Sequence, residues 1–573
     1  MAMSDNVNEP GPDLRPHLSR GESRLHRLVS DIDDEDATSR YREEGVDNNA
    51  AEHSPGSALS SGDERVIVTW LPNDPENPYN WASGRKAFVL VTTMTTILNS
   101  TIGSALPSNA IPYITKEWNV TSQAQSVLPI SIFLIGPIFW APITEQFGRR
   151  PSVVGTCVMI CIWTMACALA PNWPAFLIFR LLVGIFASGP IAIVAGIMAD
   201  IYGEHRTRGR AMAIFMAASL TRSFCTTVFG PLLAPIISGF CSPTIGWRWA
   251  FWIGLIYAGA SLIPLAFMPE TYGPVLLLRR AQRVRREDPK SNVVAPHELE
   301  KMDLHQLVVR VLTRPIRMLF FELIVSATCM YVALCYSIFY MTFQAFSIIY
   351  EDLYGLSPGV EGLTFLTIGA GALFALPVFF GWDAYLKRAQ DEGRPWTKNE
   401  EYRRLPLACL GGPLFVVSLF WLGWTSREGV PFWVPMLSGI PFGMGFQLIF
   451  MALLNYLTDA YEIFAASANA ASSCSRSILA TVLPFACTPM YERLGIAGAS
   501  SLLAGLSCLM CAIPFVFIWK GERIRAGSKF CIALQERKEE MARRAEEQRR
   551  KAENVDGDGG GVLAGEEGVK EEV

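Results

Sequence analysis

The run Leu405-Pro406-Leu407-Ala408-Cys409-Leu410-Gly411-Gly412-Pro413-Leu414-Phe415-Val416-Val417-Ser418-Leu419-Phe420-Trp421-Leu422-Gly423-Trp424 carries no charge over twenty residues and is bracketed by Arg403-Arg404 and Arg427. A helix rises about 1.5 Å per residue, so roughly 20 apolar residues cover the ~30 Å hydrocarbon core of a bilayer. Inside lipid the backbone must satisfy its own hydrogen bonds, and such a run reads as a transmembrane helix. Eleven further stretches meet the same criterion. The first half holds Ala87–Pro107, Ala124–Thr144, Pro151–Ala170, Ala175–Ala199, Ala211–Ile237 and Trp249–Met268. The second holds Phe320–Ala345, Val360–Gly381, Phe432–Leu457, Phe464–Met490 and Ala497–Trp519 beside the opening run. The fold class expected is an all-α integral membrane protein of two pseudo-symmetric six-helix bundles.

Composition agrees, because 50% of the 573 residues are hydrophobic and only 18% charged, with a mean hydropathy of +0.26. A soluble chain carries about 25% charged residues. Every second connection is basic: Arg149-Arg150, then Arg206, Arg208 and Arg210, then Arg279 to Arg317, Lys387 to Arg404, and Lys520 to Lys529. The positive-inside rule puts these connections and both termini in the cytosol. The connection Asp459 to Glu462 breaks the pattern, having neither Lys nor Arg. The expected organisation is a disordered cytosolic tail (1–80), a first six-span half (81–268), a cytosolic central loop (269–315), a second half (316–519) and a cytosolic tail (520–573). Within the central loop, Leu276 to Arg286 suits an amphipathic helix at the membrane surface.

The thirteen cysteines are scattered singly, so neither a metal site nor a disulfide framework is expected. No Gly-rich phosphate loop with Lys and Ser or Thr is present, and the driving force expected is an ion gradient rather than ATP. No cofactor and no nucleic acid is implied. The partners expected are a small-molecule substrate, protons and the lipid bilayer, around a chain that works as a monomer. Asn119-Val120-Thr121 is a sequon on the external side of this topology.

Three motifs, with several shorter marks, are specific enough to name a family. Ala141-Pro142-Ile143-Thr144-Glu145-Gln146-Phe147-Gly148-Arg149-Arg150-Pro151 follows span two, and Arg180-Leu181-Leu182-Val183-Gly184 lies in span four. Gly230-Pro231-Leu232-Leu233-Ala234-Pro235 lies in span five. Shorter marks are Asn77 to Trp81, Gly246-Trp247-Arg248-Trp249, Pro269-Glu270-Thr271-Tyr272 and Asn455 to Tyr461. From Asn73 to Phe530 the chain resembles the major facilitator superfamily, in its fungal drug:proton antiporter branch, which includes polyamine and multidrug exporters. The resemblance implies a conformational latch at Glu145, Gly148, Arg149 and Arg150, proton coupling through Arg180, and a helix pivot at Gly230 and Pro231. It also implies efflux at the plasma membrane rather than catalysis.

A charge at the centre of a membrane helix costs about 2.5–3.5 kcal/mol on insertion scales, so it faces a partner or a wet cavity. Arg180, Arg222, Glu322 and Arg476 are such groups. Glu322 is the candidate proton carrier beside Arg180, or an interface acid pairing with Arg314 or Arg317. Arg222 and Arg476 are fixed charges that suit an anion clamp or an internal ion pair. Aromatic residues of span seven and span ten offer an amphipathic wall for a bulky substrate. The substrate-binding candidates are Asn99, Arg222, Tyr336, Tyr340, Gln447, Asn469 and Arg476. The function expected is proton-coupled export of drugs, toxins, polyamines or secondary metabolites. Export of organic acids, an importer, and a non-transporting nutrient sensor are the alternatives.

Overall fold

The computed structural model describes residues 66–70, 74–135, 140, 148–201, 226–289, 293–295, 298, 313–399, 401–461, 464–528, 531–532 and 543. The chain falls into two compact units. One comprises Met1–Asn77 with Gly273–Met302, the other Pro78–Tyr272 with Asp303–Val573.

The larger unit is a helical bundle. Its first half contains α1 (Ser83–Ala105), α2 (Gln123–Ser131), α3 (Arg149–Ala168), α4 (Trp173–Ile201), α5 (Thr226–Thr244) and α6 (Arg248–Ala266). The second contains α7 (Leu323–Phe346), α8 (Leu366–Asp391), α9 (Glu401–Thr425), α10 (Gly439–Tyr461), α11 (Ala465–Val482) and α12 (Cys487–Ala526). Among the described residues nine helices are long and apolar enough to cross a membrane. One of them, Ser467–Gly521, covers the eleventh and twelfth expected spans, which meet at Gly495 with φ +70°. The second and fifth expected spans run partly outside the described residues. Large apolar side chains such as Ile178, Ile256, Phe267 and Leu509 are exposed on the bundle, a surface suited to lipid.

α1 is rich in hydroxyls yet buried, and the reason is local. Thr93, Thr95, Thr96, Ser100, Thr101 and Ser104 each donate to a carbonyl three or four residues back, so none of these six hydroxyls needs an outside acceptor. The helix thereby presents a small, internally satisfied face that α4, α5 and α6 approach closely.

Two ends of the bundle differ in charge. At the basic end, Arg149 of α3 pairs with Asp200 of α4 at 3.0 Å, and Arg404 of α9 pairs with Asp459 of α10 at 2.9 Å. The two pairs occupy corresponding places in the two halves. Arg404 is also the base that the Asp459 connection lacked in sequence. At the base-poor end, Trp247 packs among Trp118, Phe176 and Phe251 and donates its indole N–H to Glu117 at 2.6 Å, while Arg248 pairs with the same carboxylate at 2.8 Å. The Gly246–Trp249 motif is thus a clamp that ties the start of α6 to the segment after α1.

Span seven was expected to run unbroken from Phe320. Instead a short helix, Arg314–Phe321, ends at Glu322, whose extended backbone (φ −104°, ψ 110°) starts α7 afresh at Leu323.

The smaller unit holds an amphipathic helix, Gly273–Glu287, with Val275, Leu277 and Ala281 buried. Its arginines meet acids: Arg280 with Asp74 at 2.5 Å, Arg283 with Glu76 at 3.2 Å and Arg285 with Glu298 at 2.5 Å. Val66–Ile67 and Val293–Val294 form a two-stranded parallel ladder in the same unit.

Candidate functional site

The centre of the bundle contains a line of polar groups that runs from one half to the other. It begins at Arg180 of α4, which is 1% exposed. Its guanidinium donates to three backbone carbonyls: Pro129 of α2 at 2.9 Å, Gly103 of α1 at 2.8 Å and Ser104 of α1 at 3.1 Å. The ring of Phe133 lies 4.8 Å beneath it. No carboxylate pairs with Arg180 among the described residues. Among the described residues the cation therefore rests on dipoles, with no carboxylate to cancel its charge.

The line continues from the Ser104 hydroxyl, which accepts a hydrogen bond from Tyr340 of α7 at 3.0 Å. The hydroxyls of Tyr340 and Tyr336 lie 3.5 Å apart. Beyond Tyr336 stands Arg476 of α11, whose guanidinium carbon is 5.8 Å from the Tyr336 ring centre and 5.5 Å from that of Phe450 in α10. Arg476 donates to the Ser472 carbonyl at 3.2 Å and to the Ser473 hydroxyl at 2.8 Å. Its described partners are again neutral.

Beside Arg180 a narrow cleft is lined by Asn99, Ile102, Thr164, Cys167 and Phe251. Asn99 is buried there, and its amide nitrogen has no hydrogen-bond acceptor among the described residues.

Four of the substrate-binding candidates thus gather around the central line: Asn99, Tyr336, Tyr340 and Arg476. Gln447 is buried within α10. Asn469 stands apart, donating to Thr458 at 3.0 Å near the basic end. Arg222 lies outside the described residues. The expected aromatic wall is largely a packing layer, with Phe339 stacked on Phe446 at 5.1 Å and Phe346 against Phe365 at 4.6 Å.

Glu322 sits at the start of α7 and is 5% exposed. Its carboxylate accepts from Tyr461 at 3.1 Å and from Ser528 at 2.6 Å, rather than from Arg314 or Arg317. It is joined to the ends of α10 and α12, away from the central line.

Of the latch candidates, Glu145 lies outside the described residues. Gly148 adopts φ +95°, a backbone suited to glycine, and a Cβ there would stand 2.7 Å from a Glu270 carboxylate oxygen. That carboxylate accepts four backbone N–H groups: Arg149 at 2.9 Å, Arg150 at 3.2 Å, and Thr271 and Tyr272 at 3.0 Å each. Glu270 is 3% exposed and caps the N-terminus of α3. The described contacts of Arg149 and Arg150 hold α3 to α4 and α6 within one half. Glu270→Ala strands four donors, and a loss on the order of 3 kcal/mol is expected. A thermal unfolding scan in detergent checks this; an unmoved midpoint would show that water replaces the carboxylate.

Gly230 is a contact point between α5 and α1, since a Cβ there would overlap the Thr101 side chain. The helix Thr226–Thr244 runs on through Pro231.

Residues 90–484 match the Major Facilitator Superfamily. The chain belongs to this superfamily. It is therefore a multi-pass membrane transporter and not an enzyme. Among its fungal relatives, the MFS-type efflux pump MFS2 of Trichophyton rubrum is 35% identical over 485 residues, 83% of this chain and 79% of that protein. The citrinin biosynthesis cluster MFS transporter mrr1 of Monascus ruber is 34% identical over 501 residues, 85% and 96% of the two chains. The efflux pump FUB11 of Gibberella moniliformis is 32% identical over 519 residues, 89% and 82%. In fold, the superfamily chain is similar to the proton:xylose symporter XylE, with a TM-score of 0.54 at 17% identity over 77% of this chain and 96% of that one.

Phe450 belongs to the aromatic set expected in span ten, whereas Ser104, Glu270 and Asp200 are site residues that the sequence did not single out. Glu270 had a signal, because it stands in the quoted Pro269–Tyr272 motif; the others are ordinary residues until the helices are packed.

Proposed function

We propose that this superfamily member exports small organic compounds by proton-coupled alternating access, with the central line as its substrate and coupling site. One observation carries the reading: a buried arginine, Arg180, and a half-buried one, Arg476, each without a carboxylate partner among the described residues, are linked across the halves through Ser104, Tyr340 and Tyr336. A site that changes when the halves move must have members in both, and Tyr340 to Ser104 is such a contact. Several relatives are named efflux pumps, and the basic end faces the cytosol by the positive-inside rule. A membrane potential of 100 mV supplies about 2.3 kcal/mol per charge moved, enough for a gradient of roughly fiftyfold. In inverted plasma-membrane vesicles, acidifying the lumen should drive uptake and a protonophore should abolish it. Uptake that ignores the protonophore would rule out the coupling.

Arg476 favours a second reading, export of organic acids. A guanidinium between two aromatic faces, bonded only to neutral oxygens among the described residues, can hold a carboxylate through two parallel hydrogen bonds. On this reading Arg476→Gln removes transport of acids by about a hundredfold, the value of some 2.7 kcal/mol, and spares neutral compounds. Equal loss for acids and neutral compounds in competition assays would assign Arg476 to the scaffold.

A further inference from the structure

At the base-poor end the halves meet over a fully buried carboxylate that none of the functional roles above uses. The turn of helix Pro358–Thr364, just before α8, packs on α5 by backbone contact. A Cβ on Gly362 would stand 2.8 Å from the Pro235 carbonyl oxygen, and one on Gly359 would stand 2.7 Å from the Phe240 ring. Inside this seal lies Glu361, 0% exposed. One of its oxygens accepts a short hydrogen bond from the amide of Asn109 in the other half. The same Asn109 nitrogen also donates to the Pro358 carbonyl at 2.9 Å. The second carboxyl oxygen of Glu361 makes no hydrogen bond of normal length among the described residues, the neighbouring Ser347 hydroxyl pointing to the Phe343 carbonyl at 3.4 Å, and the Asn109 amide oxygen and the Tyr350 hydroxyl make none either.

No cation is available to this carboxyl among the groups packed on it. α5 contributes only Cys241 as a titratable residue, and Ser108–Ala110 contributes none. The turn Ser347–Leu353 contributes Tyr350, Glu351 and Asp352, and α8 carries its first charge at Asp383. An enclosed carboxylate with the Glu351 carboxylate near it and no base among the groups packed on it is costly to keep ionised, whereas a neutral carboxyl has a proton to donate and needs no counter-charge.

We infer that Glu361 is a proton-binding site that latches the base-poor end of the transporter: the closed seal takes up a proton at Glu361, and release of that proton to solvent accompanies opening. The inference rests on the alternating-access reading above, but its test does not require transport. Since the closed form binds the additional proton, acid favours closure and rising pH favours opening.

Hydrogen–deuterium exchange on the purified full chain tests it, with intrinsic rates corrected, at about pH 5 and about pH 8. Peptides covering 107–115 and 356–365 should lose protection about tenfold at the higher pH in the wild type. Glu361→Gln, which mimics the neutral acid, should hold them protected at both. Asn109→Leu should weaken protection at both. A wild-type seal with no pH dependence, or a Glu361→Gln chain that keeps the wild-type dependence, overturns the proposal. If the glutamine variant does not fold, the wild-type and Asn109→Leu profiles still decide. A pH-dependent seal in a chain whose transport ignores a protonophore would leave the latch standing and remove proton-coupled export.

Discussion

Arg180→Leu is expected to abolish transport, by more than about a hundredfold, in protein that still reaches the membrane in reduced amount. The guanidinium satisfies three carbonyls from α1 and α2 in a buried site, and hydrogen bonds to a charged group are worth about 1.5–3 kcal/mol each. Removing it strands those acceptors and also removes a positive charge that no described carboxylate neutralises. Arg180→Lys restores the charge but not the planar fork, so it should recover folding better than transport. Gel-filtration profiles and transport per folded molecule separate the two effects. Full transport in the lysine variant would reduce Arg180 to a charge, with no part for its geometry.

The second large effect concerns packing in the other half. α8, α9 and α10 touch backbone to backbone: a Cβ on Gly371 would overlap the Ile440 carbonyl, one on Gly443 the Ile368 carbonyl, and one on Gly445 would stand 2.6 Å from the Gly411 carbonyl. In lipid no hydrophobic drive holds helices together, so close approach through small residues supplies the dispersion contact that does. Gly443→Leu would have to push α8 away along its length. A loss well beyond the 1–3 kcal/mol typical of overpacking is expected, seen as absent or aggregated protein after detergent extraction. Gly505→Leu on α12 is the control, because its Cβ position meets nothing within 4 Å and the substitution should be silent. Similar yields for both variants would show that α8 and α10 can separate without cost.

The helices were readable because length and apolarity are local properties. Leu405 to Trp424 announces α9 with no reference to the rest of the chain, and the basic connections order the ends. Arg180 and Arg476 were readable for a related reason, since an arginine inside an apolar run is anomalous wherever it points. What they touch was not. The acceptors of Arg180 are backbone carbonyls, which every residue carries, so no side-chain pattern reveals them. Ser104 was hidden among the hydroxyls of α1, most of which only bond back to their own helix. Glu361 drew no attention in the sequence, standing one residue inside the start of span eight. Its burial depends on Asn109, 252 residues earlier, and on glycines that let α5 come close. Asn469 and Glu322 were selected by depth along a helix, and depth alone does not say which neighbour a side chain meets. The break at Glu322 was equally invisible, as Phe320 and Phe321 prolong the apolar run on its N-terminal side.

The central claim is that substrate movement through this superfamily member is exchanged for protons moving the opposite way. Proteoliposomes holding the purified chain and a pH-sensitive dye, with no imposed proton gradient, test it most directly. Loading them with a transported compound and diluting them should let the compound run out and drive protons inward. The lumen should then acidify at a rate proportional to substrate efflux, and Arg180→Leu liposomes should remain flat. Substrate efflux of full size with an unchanged internal pH would contradict the account.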